Sequence, residues 1–522
     1  MQVHKDYYEE NWEKAWWKLY QPLSFTIANK SGESLIGTKS QLTTLCSQAE
    51  NYGIKVIVDV VSNHLASGGS DARLHSDVKN YESSIYNSNL IHTDYGSNSA
   101  DTATDTAHIV RGNLGELPDL KTESTVVQNR VLSLLKEYID CGIDGFRFDA
   151  AKHIETPDDG DYASNYWPTI LDGATAYATS KGLEAPYYYG EILGSPGNTR
   201  SFSYYTKYMH TVDSELSSNV YQGIRDKNIS KACSSSYNGG LKGENVVLWG
   251  ESHDTYSNDW GETYYGNNID QKIIDKAYAI VSSRQNAASL YLSRPGSGSQ
   301  IGSVGSTAYK ATKIKAINKF HKLFVGANEA ISNDNGCFIN VRSNNDGKGA
   351  MIVNVSDDST SKNVSINLPN GTYKNLITNQ TVNVSSGSLN ATFTDGICVL
   401  VGNDISDQSV SLSLSYPNQI KYVDTATITV TTDADTVKYS INGGTATTLS
   451  GSSFVLPNSL ANGAVNIKVT ASKGSAVASE TITLIKVSQN VYNKNIIFYG
   501  LDTSKYYMVY AWTDSRWSSV GD

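Results

Sequence analysis

The chain has 522 residues, a net charge of −10 at pH 7, 39% hydrophobic residues and 18% charged residues. This length exceeds one ordinary hydrophobic core and predicts about two to four domains. The acidic balance, without a basic patch, argues against nucleic acid as a partner. No apolar run reaches the roughly 18 residues that a membrane helix needs. Residues 1–6 are polar and do not form a signal peptide.

The tyrosine content and the cysteine spacing bear on different questions. The 34 tyrosines fit carbohydrate-facing surfaces or simply good strand formation, and both interpretations stay open. No two of the five cysteines form a CxxC pair, so the cysteines predict no zinc site. Cys337 and Cys398 fall in strand-like runs of one predicted domain and are candidates for a disulfide, which depends on their Cα geometry.

Residues 1–320 alternate helical stretches with apolar runs. A helix over 40–52 precedes a strand over 54–61, and a helix over 126–140 precedes a strand over 143–149. Repeated helix–strand units predict a parallel sheet, open or closed into a barrel. Further strands are predicted over 187–191, 246–251 and 288–293.

The rest of the chain departs from this alternation. Residues 65–117 are rich in Ser, Asn, Asp and Gly, and so long a loop is usually functional. From 321 onward, short strands separated by Asn, Gly and Ser predict all-β structure. We divide it into a β-sandwich over 321–402, an immunoglobulin-like sandwich over 403–486, and an aromatic-dense stretch over 487–522.

Four polar clusters lie at or after predicted strand ends, where a parallel barrel builds its active site. They are DVVSNH (59–64), GFRFDAAKH (145–153), YGEI (189–192) and WGESHD (249–254). Arg147 and Asp149 are two residues apart and point to the same side of a strand, as a functional pair or as a structural ion pair. The three tyrosines before Glu191 predict partial desolvation and a raised pKa for its carboxyl.

Each cluster alone is ambiguous, because polar residues often close a buried strand and His–Asp pairs also occur in helix caps and metal sites. Together they place Asp149, Glu191 and Asp254 at three strand ends of one barrel. A retaining glycosidase requires two carboxyls about 5 Å apart. The pattern therefore favours glycoside hydrolysis.

The order DVVSNH, LPDL, GFRFDAAKH, GEIL and ESHD resembles the characteristic regions of the α-amylase family, glycoside hydrolase family 13. The segments WWKLYQPLSF, IETPDDGDY and LSRPGSGSQIG look most like the saccharifying α-amylases of Bacillus and related Gram-positive bacteria. The resemblance covers roughly residues 10–402. It implies an α/β fold, a (β/α)₈ TIM barrel over 1–320 with 65–117 as its domain B excursion, followed by all-β domains.

By family order, the strand that ends at Asp59 is the third of the barrel. We therefore expect a fragment that lacks the first two barrel strands, and whose residues 487–522 open a starch-binding module. The implied reaction is endo-hydrolysis of α-1,4-glucosidic bonds in starch, with retention through a covalent glycosyl-enzyme. The alternatives are a maltogenic or transglycosylating member of the family, or a truncated, inactive starch-binding protein.

The resemblance also assigns roles. Asp149 is the expected nucleophile, Glu191 the general acid/base, and Asp254 the group that holds the distorted glucose. Asp59 is expected to support Arg147. The expected substrate-binding residues are Tyr20, Gln21, His64, Arg147, Lys152, His153 and His253.

A calcium site is implied as well, with side-chain oxygens from Asn63 and Asp119 and the backbone carbonyl of His153. Without the resemblance, Asp119 reads as an ordinary turn residue. Thr255 stands where chloride-dependent relatives carry Asn, so chloride is not expected. The expected partners are starch and maltooligosaccharides, and the expected protein is a secreted monomer.

Overall fold

The computed structural model describes residues 2–4, 16–50, 52–257, 269–294, 304–344, 347–402, 410–416, 421–473 and 476–488. Within these ranges no helix is long and apolar enough to cross a membrane. Residues 489–522, almost all of the predicted starch-binding stretch, lie outside them.

The N-terminal strands β1 (Gln2–His4) and β2 (Pro22–Ile27) form an antiparallel pair, which the sequence did not predict. The side chain of Gln2 ties this pair to the next strand. Its Nε2 donates to the carbonyls of Ser24 and Val61 at 3.1 Å, and its Oε1 accepts from the Val61 amide at 3.0 Å. The pair is therefore anchored without joining the parallel sheet.

Six parallel strands form the sheet that carries the predicted site, in the order β3-β4-β5-β6-β7-β8. Parallel strands separated by helices confirm the α/β expectation. Strand β6 was missed because three residues are too few to show a periodicity. The strands are β3 (Ile57–Val61), β4 (Gly145–Asp149), β5 (Tyr187–Gly190), β6 (His210–Val212), β7 (Val246–Trp249) and β8 (Ala288–Leu290).

Helices pack between these strands. In the helix Thr125–Asp140, Ser124 caps the N-terminus by accepting a hydrogen bond from the Val126 amide. Val127, Val131 and Leu134 recur at helical spacing and are fully buried. The helices are α1 (Lys39–Glu50), α2 (Val78–Tyr81), α3 (Ser83–Asn87), α4 (Thr106–Arg111), α5 (Thr125–Asp140), α6 (Tyr166–Ser180), α7 (Ser203–Thr206), α8 (Ser214–Arg225), α9 (Ile229–Ala232), α10 (His253–Ser257), α11 (Gln271–Ser282) and α12 (Thr312–Leu323).

The long excursion over 65–117 contains only the short helices α2, α3 and α4. It is fixed to the rest of the chain at Glu82, between α2 and α3, whose side chain is buried. This carboxylate accepts from the Phe25 amide at 2.7 Å and the Ser24 hydroxyl at 3.2 Å. It also receives two hydrogen bonds from Arg130 of α5, at 2.7 and 2.8 Å. One carboxylate thus joins the excursion, β2 and α5.

The strands between residues 328 and 402 form antiparallel sheets. A six-stranded sheet has the order β14-β13-β16-β11-β10-β9, and β12 pairs with β15 beside it. Its bounds are β9 (Asn328–Asp334), β10 (Cys337–Asn344), β11 (Gly347–Asn354), β12 (Ser361–Ser365), β13 (Gly371–Asn375), β14 (Thr381–Val384), β15 (Ser388–Thr392) and β16 (Ile397–Gly402).

The candidate disulfide between Cys337 and Cys398 does not form, because both are free thiols. Cys337 lies on β10 and Cys398 on β16, with β11 between them. Two inter-strand spacings alone separate them by at least roughly 9–10 Å, beyond the range of about 7 Å that a disulfide spans.

A last group of strands forms a three-stranded sheet, β17-β19-β22, and a five-stranded sheet, β18-β24-β23-β20-β21. Both sheets contribute to one apolar core that includes Ile428 and Ile467. The strands are β17 (Leu412–Leu414), β18 (Lys421–Tyr422), β19 (Ala426–Thr432), β20 (Thr436–Ile441), β21 (Thr447–Thr448), β22 (Ser453–Leu456), β23 (Gly463–Lys473) and β24 (Ala476–Lys486).

The buried Glu82–Arg130 contact predicts a stability effect. Glu82→Ala leaves the Phe25 amide and a partly buried guanidinium without their acceptor, so we expect a loss of about 3–5 kcal/mol in the free energy of unfolding. Urea unfolding followed by circular dichroism measures it. The matched control is Glu116→Ala, an exposed position of the same excursion, which should change stability by less than about 0.5 kcal/mol. Equal effects for the two variants would contradict this role for Glu82.

Candidate active site

The predicted site residues converge at one edge of the parallel sheet. Asp149 is the last residue of β4, Glu191 follows β5 directly, and His253 and Asp254 open α10 after β7. Because parallel strands end at the same edge, these three strand ends bring the side chains into one cluster. The sheet register places Val61 of β3 beside Asp149.

The guanidinium of Arg147 is the centre of this cluster. Its Nη1 donates to Asp59 Oδ1 at 2.8 Å and Oδ2 at 2.7 Å, and to Asp149 Oδ1 at 2.8 Å. Its Nη2 lies 3.1 Å from Glu191 Oε1. Arg147 is therefore an ion-pair partner of three carboxylates at once, two of which are the predicted nucleophile and acid/base.

Ala150 supplies a second contact to Glu191. Its backbone has the left-handed values φ 48° and ψ 30°, which are uncommon for a residue with a side chain. The Ala150 amide donates to Glu191 Oε2 at 3.0 Å. A strained residue directly after the predicted nucleophile thus positions the predicted acid/base, and no motif in the sequence indicated it.

Burial and charge act in different directions on the carboxyls. Burial raises the pKa of Asp149 well above its usual range, against the lowering effect of Arg147. Burial also pushes the pKa of Glu191 upward, but Arg147 and the Ala150 amide outweigh it, so that this pKa is lowered. The structure thus contradicts the raised pKa predicted for Glu191 from its tyrosine neighbours.

The Asp254 carboxyl has a raised pKa, first because it is buried and also because it hydrogen-bonds to Glu191. Two carboxyls can share a hydrogen bond only when one of them carries a proton. The two pKa shifts run in opposite directions, upward for Asp254 and downward for Glu191, so this hydrogen bond favours a proton on Asp254 over one on Glu191.

Tyr20 closes one side of the cluster. Its hydroxyl donates to Asp59 Oδ2 at 2.9 Å and lies 3.1 Å from His253 Nε2, and the two rings are stacked with centroids 5.8 Å apart. His64 Nε2 donates to the Tyr20 carbonyl at 2.9 Å, and burial lowers the pKa of His64 to about 4. Gln21 instead turns to the excursion, where it accepts from the Ser67 amide at 3.4 Å.

Lys152 and His153, predicted to line the aglycone side, take different positions. Lys152 Nζ donates to the carbonyl of Leu193, just beyond Glu191, at 3.3 Å. His153 Nδ1 donates to the Ile109 carbonyl in α4 at 2.9 Å. Burial lowers the pKa of His153 to about 4, so its ring is neutral and joins the excursion to the sheet.

The predicted calcium residues Asn63 and Asp119 are each 1% exposed. Within the described part of the chain, Asn63 Oδ1 and Asp119 Oδ1 have no hydrogen-bond partner. The carbonyls on either side of His153 are engaged by Arg200. Buried, unpartnered oxygens from two segments fit an oxygen-liganded cation such as Ca²⁺.

Asp119 is not an ordinary turn residue, because its other oxygen accepts from His92 Nδ1 at 2.7 Å. His92 and its neighbour Glu155 were missed at the sequence level. Neither stands in a spacing that would have indicated a site.

A parallel sheet that brings two carboxylates onto one buried guanidinium at its carboxyl edge has the arrangement of groups that a glycoside hydrolase uses. Residues 33–182 match the model described as "Alpha amylase, catalytic domain", and residues 333–393 match "Bacterial Alpha amylase C-terminal domain". The chain therefore resembles α-amylase-family proteins in both of these stretches.

Two curated relatives are both named alpha-amylase. The one from Clostridium acetobutylicum is 31% identical over 427 residues, which are 79% of this chain and 51% of the relative. The one from Butyrivibrio fibrisolvens is 29% identical over 435 residues, which are 74% of this chain and 42% of the relative. The chain thus spans about half the length of the curated relatives it matches.

Solved structures show the same fold. Alpha-amylase I from Eisenia fetida is 18% identical with a TM-score of 0.56, over 74% of this chain and 88% of that one. Gamma-CGTase from an alkalophilic Bacillus clarkii is 16% identical with a TM-score of 0.55, over 90% of this chain and 71% of that one.

The buried guanidinium predicts a pH-dependent stability effect. In Arg147→Met the lowering effect on Asp149 disappears, so its folded-state pKa rises further above the unfolded value. A carboxyl with a raised folded-state pKa stabilises at low pH and loses that contribution as pH rises through the folded-state pKa. The loss in the free energy of unfolding relative to the wild type should therefore widen from pH 5 to pH 8, towards about 3–5 kcal/mol. Thermal unfolding at both pH values measures it.

The control is Arg225→Met, which removes a partly exposed pair with Asp226. We expect a small and nearly pH-independent change there. A gap for Arg147→Met that stays constant or narrows with rising pH would show that the guanidinium does not govern the ionisation of the cluster.

Proposed function

We propose that this protein is an α-amylase, which hydrolyses internal α-1,4-glucosidic bonds of starch and related α-glucans with retention of configuration. The observation that carries the proposal is the contact of one guanidinium, Arg147, with both Asp149 and Glu191. This contact holds two carboxyls side by side, as a retaining double displacement requires. The names of the curated relatives support the substrate class.

In the proposed reaction, Asp149 attacks the anomeric carbon and forms a glycosyl ester, while Glu191 gives its proton to the leaving oxygen. Glu191 then removes a proton from the incoming water, and the ester is hydrolysed. Arg147 favours the ionised form of Asp149 and fixes its direction of attack.

The proton for this acid step would come from the hydrogen bond that Glu191 shares with Asp254, whose pKa is raised. A short transfer from Asp254 to Glu191 would prepare the acid. Asp254 would then be ionised and able to accept hydrogen bonds from sugar hydroxyls. His253, stacked against Tyr20, would line the same glucose position.

Calcium belongs to the same proposal, with Asn63, Asp119 and the His153 carbonyl as its ligands. When bound, the ion would supply charge that clamps the excursion to the sheet, and no chemical step passes through it. We further propose the domain division 1–320, 321–402, 403–486 and 487–522, binding of starch and maltooligosaccharides, and a secreted monomer.

Asp149→Asn keeps the shape of the side chain but removes the attacking charge, and Glu191→Gln removes the acid/base. Each should lower the rate on soluble starch by several orders of magnitude while maltooligosaccharide binding survives. A reducing-sugar assay measures the rate, and calorimetry with maltooligosaccharides measures binding. Asp172→Asn, on the exposed face of α6, is the matched control and should retain full activity.

Retention of more than about a tenth of the wild-type rate in Asp149→Asn would remove Asp149 from the nucleophile role. Product chromatography separates the alternatives: linear maltooligosaccharides of mixed length support endo-hydrolysis, a single maltose product supports a maltogenic enzyme, and cyclic or longer products support transglycosylation. Starch binding by the wild type without turnover would support an inactive starch-binding protein.

Calcium removal gives a separate prediction. A cation that binds only the folded protein stabilises it by about 2.7 kcal/mol at a hundred times its dissociation constant. A chelator should therefore lower the melting temperature, and added Ca²⁺ should restore it in the wild type but not in Asn63→Ala. Melting curves of the wild type that are indifferent to both additions would exclude the calcium site.

A further inference from the structure

Among the described residues, and outside the proposed catalytic and calcium residues, one cluster combines an imidazole with two carboxylates. His92 lies in the excursion, Glu123 stands just before the N-cap of α5, and Glu155 follows the turn after β4. Each offers one ligand atom, and these atoms all lie within 4.8 Å of one another. Three segments far apart in sequence thus meet at one point.

We propose that His92, Glu123 and Glu155 form a second metal site that takes Zn²⁺ through one imidazole nitrogen and two carboxylate oxygens. This donor set is one that zinc accepts, and three protein ligands leave a fourth position for water. The site is distinct from the proposed calcium position and does not depend on the proposed activity.

The orientation of His92 is the first support. Its Nδ1 donates to Asp119 Oδ2 at 2.7 Å, and this hydrogen bond turns Nε2 towards Glu123. Metal-binding histidines usually donate their other ring N–H to a carboxylate in this way. Nε2 lies 3.3 Å from Glu123 Oε1. Ligand atoms around a tetrahedral zinc with bonds of about 2.0–2.1 Å are roughly 3.3–3.5 Å apart.

Glu155 is the second, independent support. It is 0% exposed. Its Oε2 accepts a hydrogen bond from the Thr122 hydroxyl, whereas its Oε1 has no hydrogen-bond partner among the described residues. A buried carboxylate oxygen without a donor is costly, and a cation at this point would compensate it.

An ion-pair network without metal accounts for only part of this arrangement. A protonated His92 placed between Asp119 and Glu123 satisfies those two carboxylates, yet it gives nothing to Glu155 Oε1. Zinc replaces the Nε2 proton, which leaves to solvent, and takes an oxygen from each glutamate. The side chain of Glu123 is 38% exposed, so the ion has an entry path.

Such an ion would hold three elements together: the excursion through His92, the start of α5 through Glu123, and the segment after β4 through Glu155. Its bond to His92 would also fix Asp119, because Asp119 accepts from the same ring. The proposed calcium and zinc positions would then share Asp119, as ligand to one ion and as hydrogen-bond acceptor beside the other.

The test uses the full chain, stripped with a chelator and titrated with Zn²⁺ in the presence of excess Ca²⁺. We expect one zinc per chain that calcium does not displace. Glu123→Gln, which keeps the size of a partly exposed side chain, should weaken zinc binding at least about tenfold. Glu116→Gln, an exposed glutamate of the same excursion, is the matched control and should bind zinc as the wild type does.

Co²⁺ substitution adds a spectroscopic readout: visible bands of a tetrahedral nitrogen- and oxygen-liganded ion should appear in the wild type and be lost in Glu123→Gln. Circular dichroism verifies that each variant is folded, and Glu155→Gln is a further test if it folds. Zinc binding that is absent, that excess Ca²⁺ abolishes, or that Glu123→Gln leaves unchanged would overturn the proposal.

Discussion

The site depends on the burial of one guanidinium. A buried Arg147 must have its charge and its donors satisfied, and three different strand ends supply the partners: Asp59 from β3, Asp149 from β4 and Glu191 after β5. The parallel register pairs Asp59 directly with Arg147. Since a slip of one residue would send these side chains to the other face, the register that builds the sheet also builds the candidate catalytic pair.

The excursion between β3 and β4 is attached both by apolar residues such as Val78 and Ile85, which join the main hydrophobic core, and by polar contacts. Glu82 binds Arg130 on α5, the His153 ring donates to the Ile109 carbonyl, and His92 donates to Asp119. These polar contacts are buried or partly buried, and the loss of a partner there would be costly. Metal ions would complete this arrangement, because buried oxygens of Asn63, Asp119 and Glu155 have no hydrogen-bond donor among the described residues.

Sequence periodicity predicted some of the longer elements, whereas long helices such as α6 and α11 were not predicted. The helices α1 and α5 and the strands β3 and β4 lie within a residue or two of their expected bounds at most ends, because caps and buried apolar residues mark them. Strands β6 and β1 were missed because each has only three residues. The pair of β1 and β2 is also held by Gln2, whose side chain bonds to Val61 far along the chain.

The motif residues Asp149, Glu191 and Asp254 meet as expected, because strand ends share an edge. The raised pKa predicted for Glu191 was wrong, because the charge that lowers this pKa belongs to Arg147 on a neighbouring strand and is not marked by the adjacent tyrosines. His92 and Glu155 carried no local signal at all.

In the proposed mechanism Glu191 must nevertheless donate a proton. Three carboxyls contact the Arg147 guanidinium and Asp254 lies beside Glu191, and four carboxyls so close together cannot all be ionised at low cost. We propose that the group shares a proton and that Asp254 supplies it to Glu191. A glucan that displaced Glu191 from Arg147 would remove the cause of its lowered pKa, so substrate binding itself would prepare the acid.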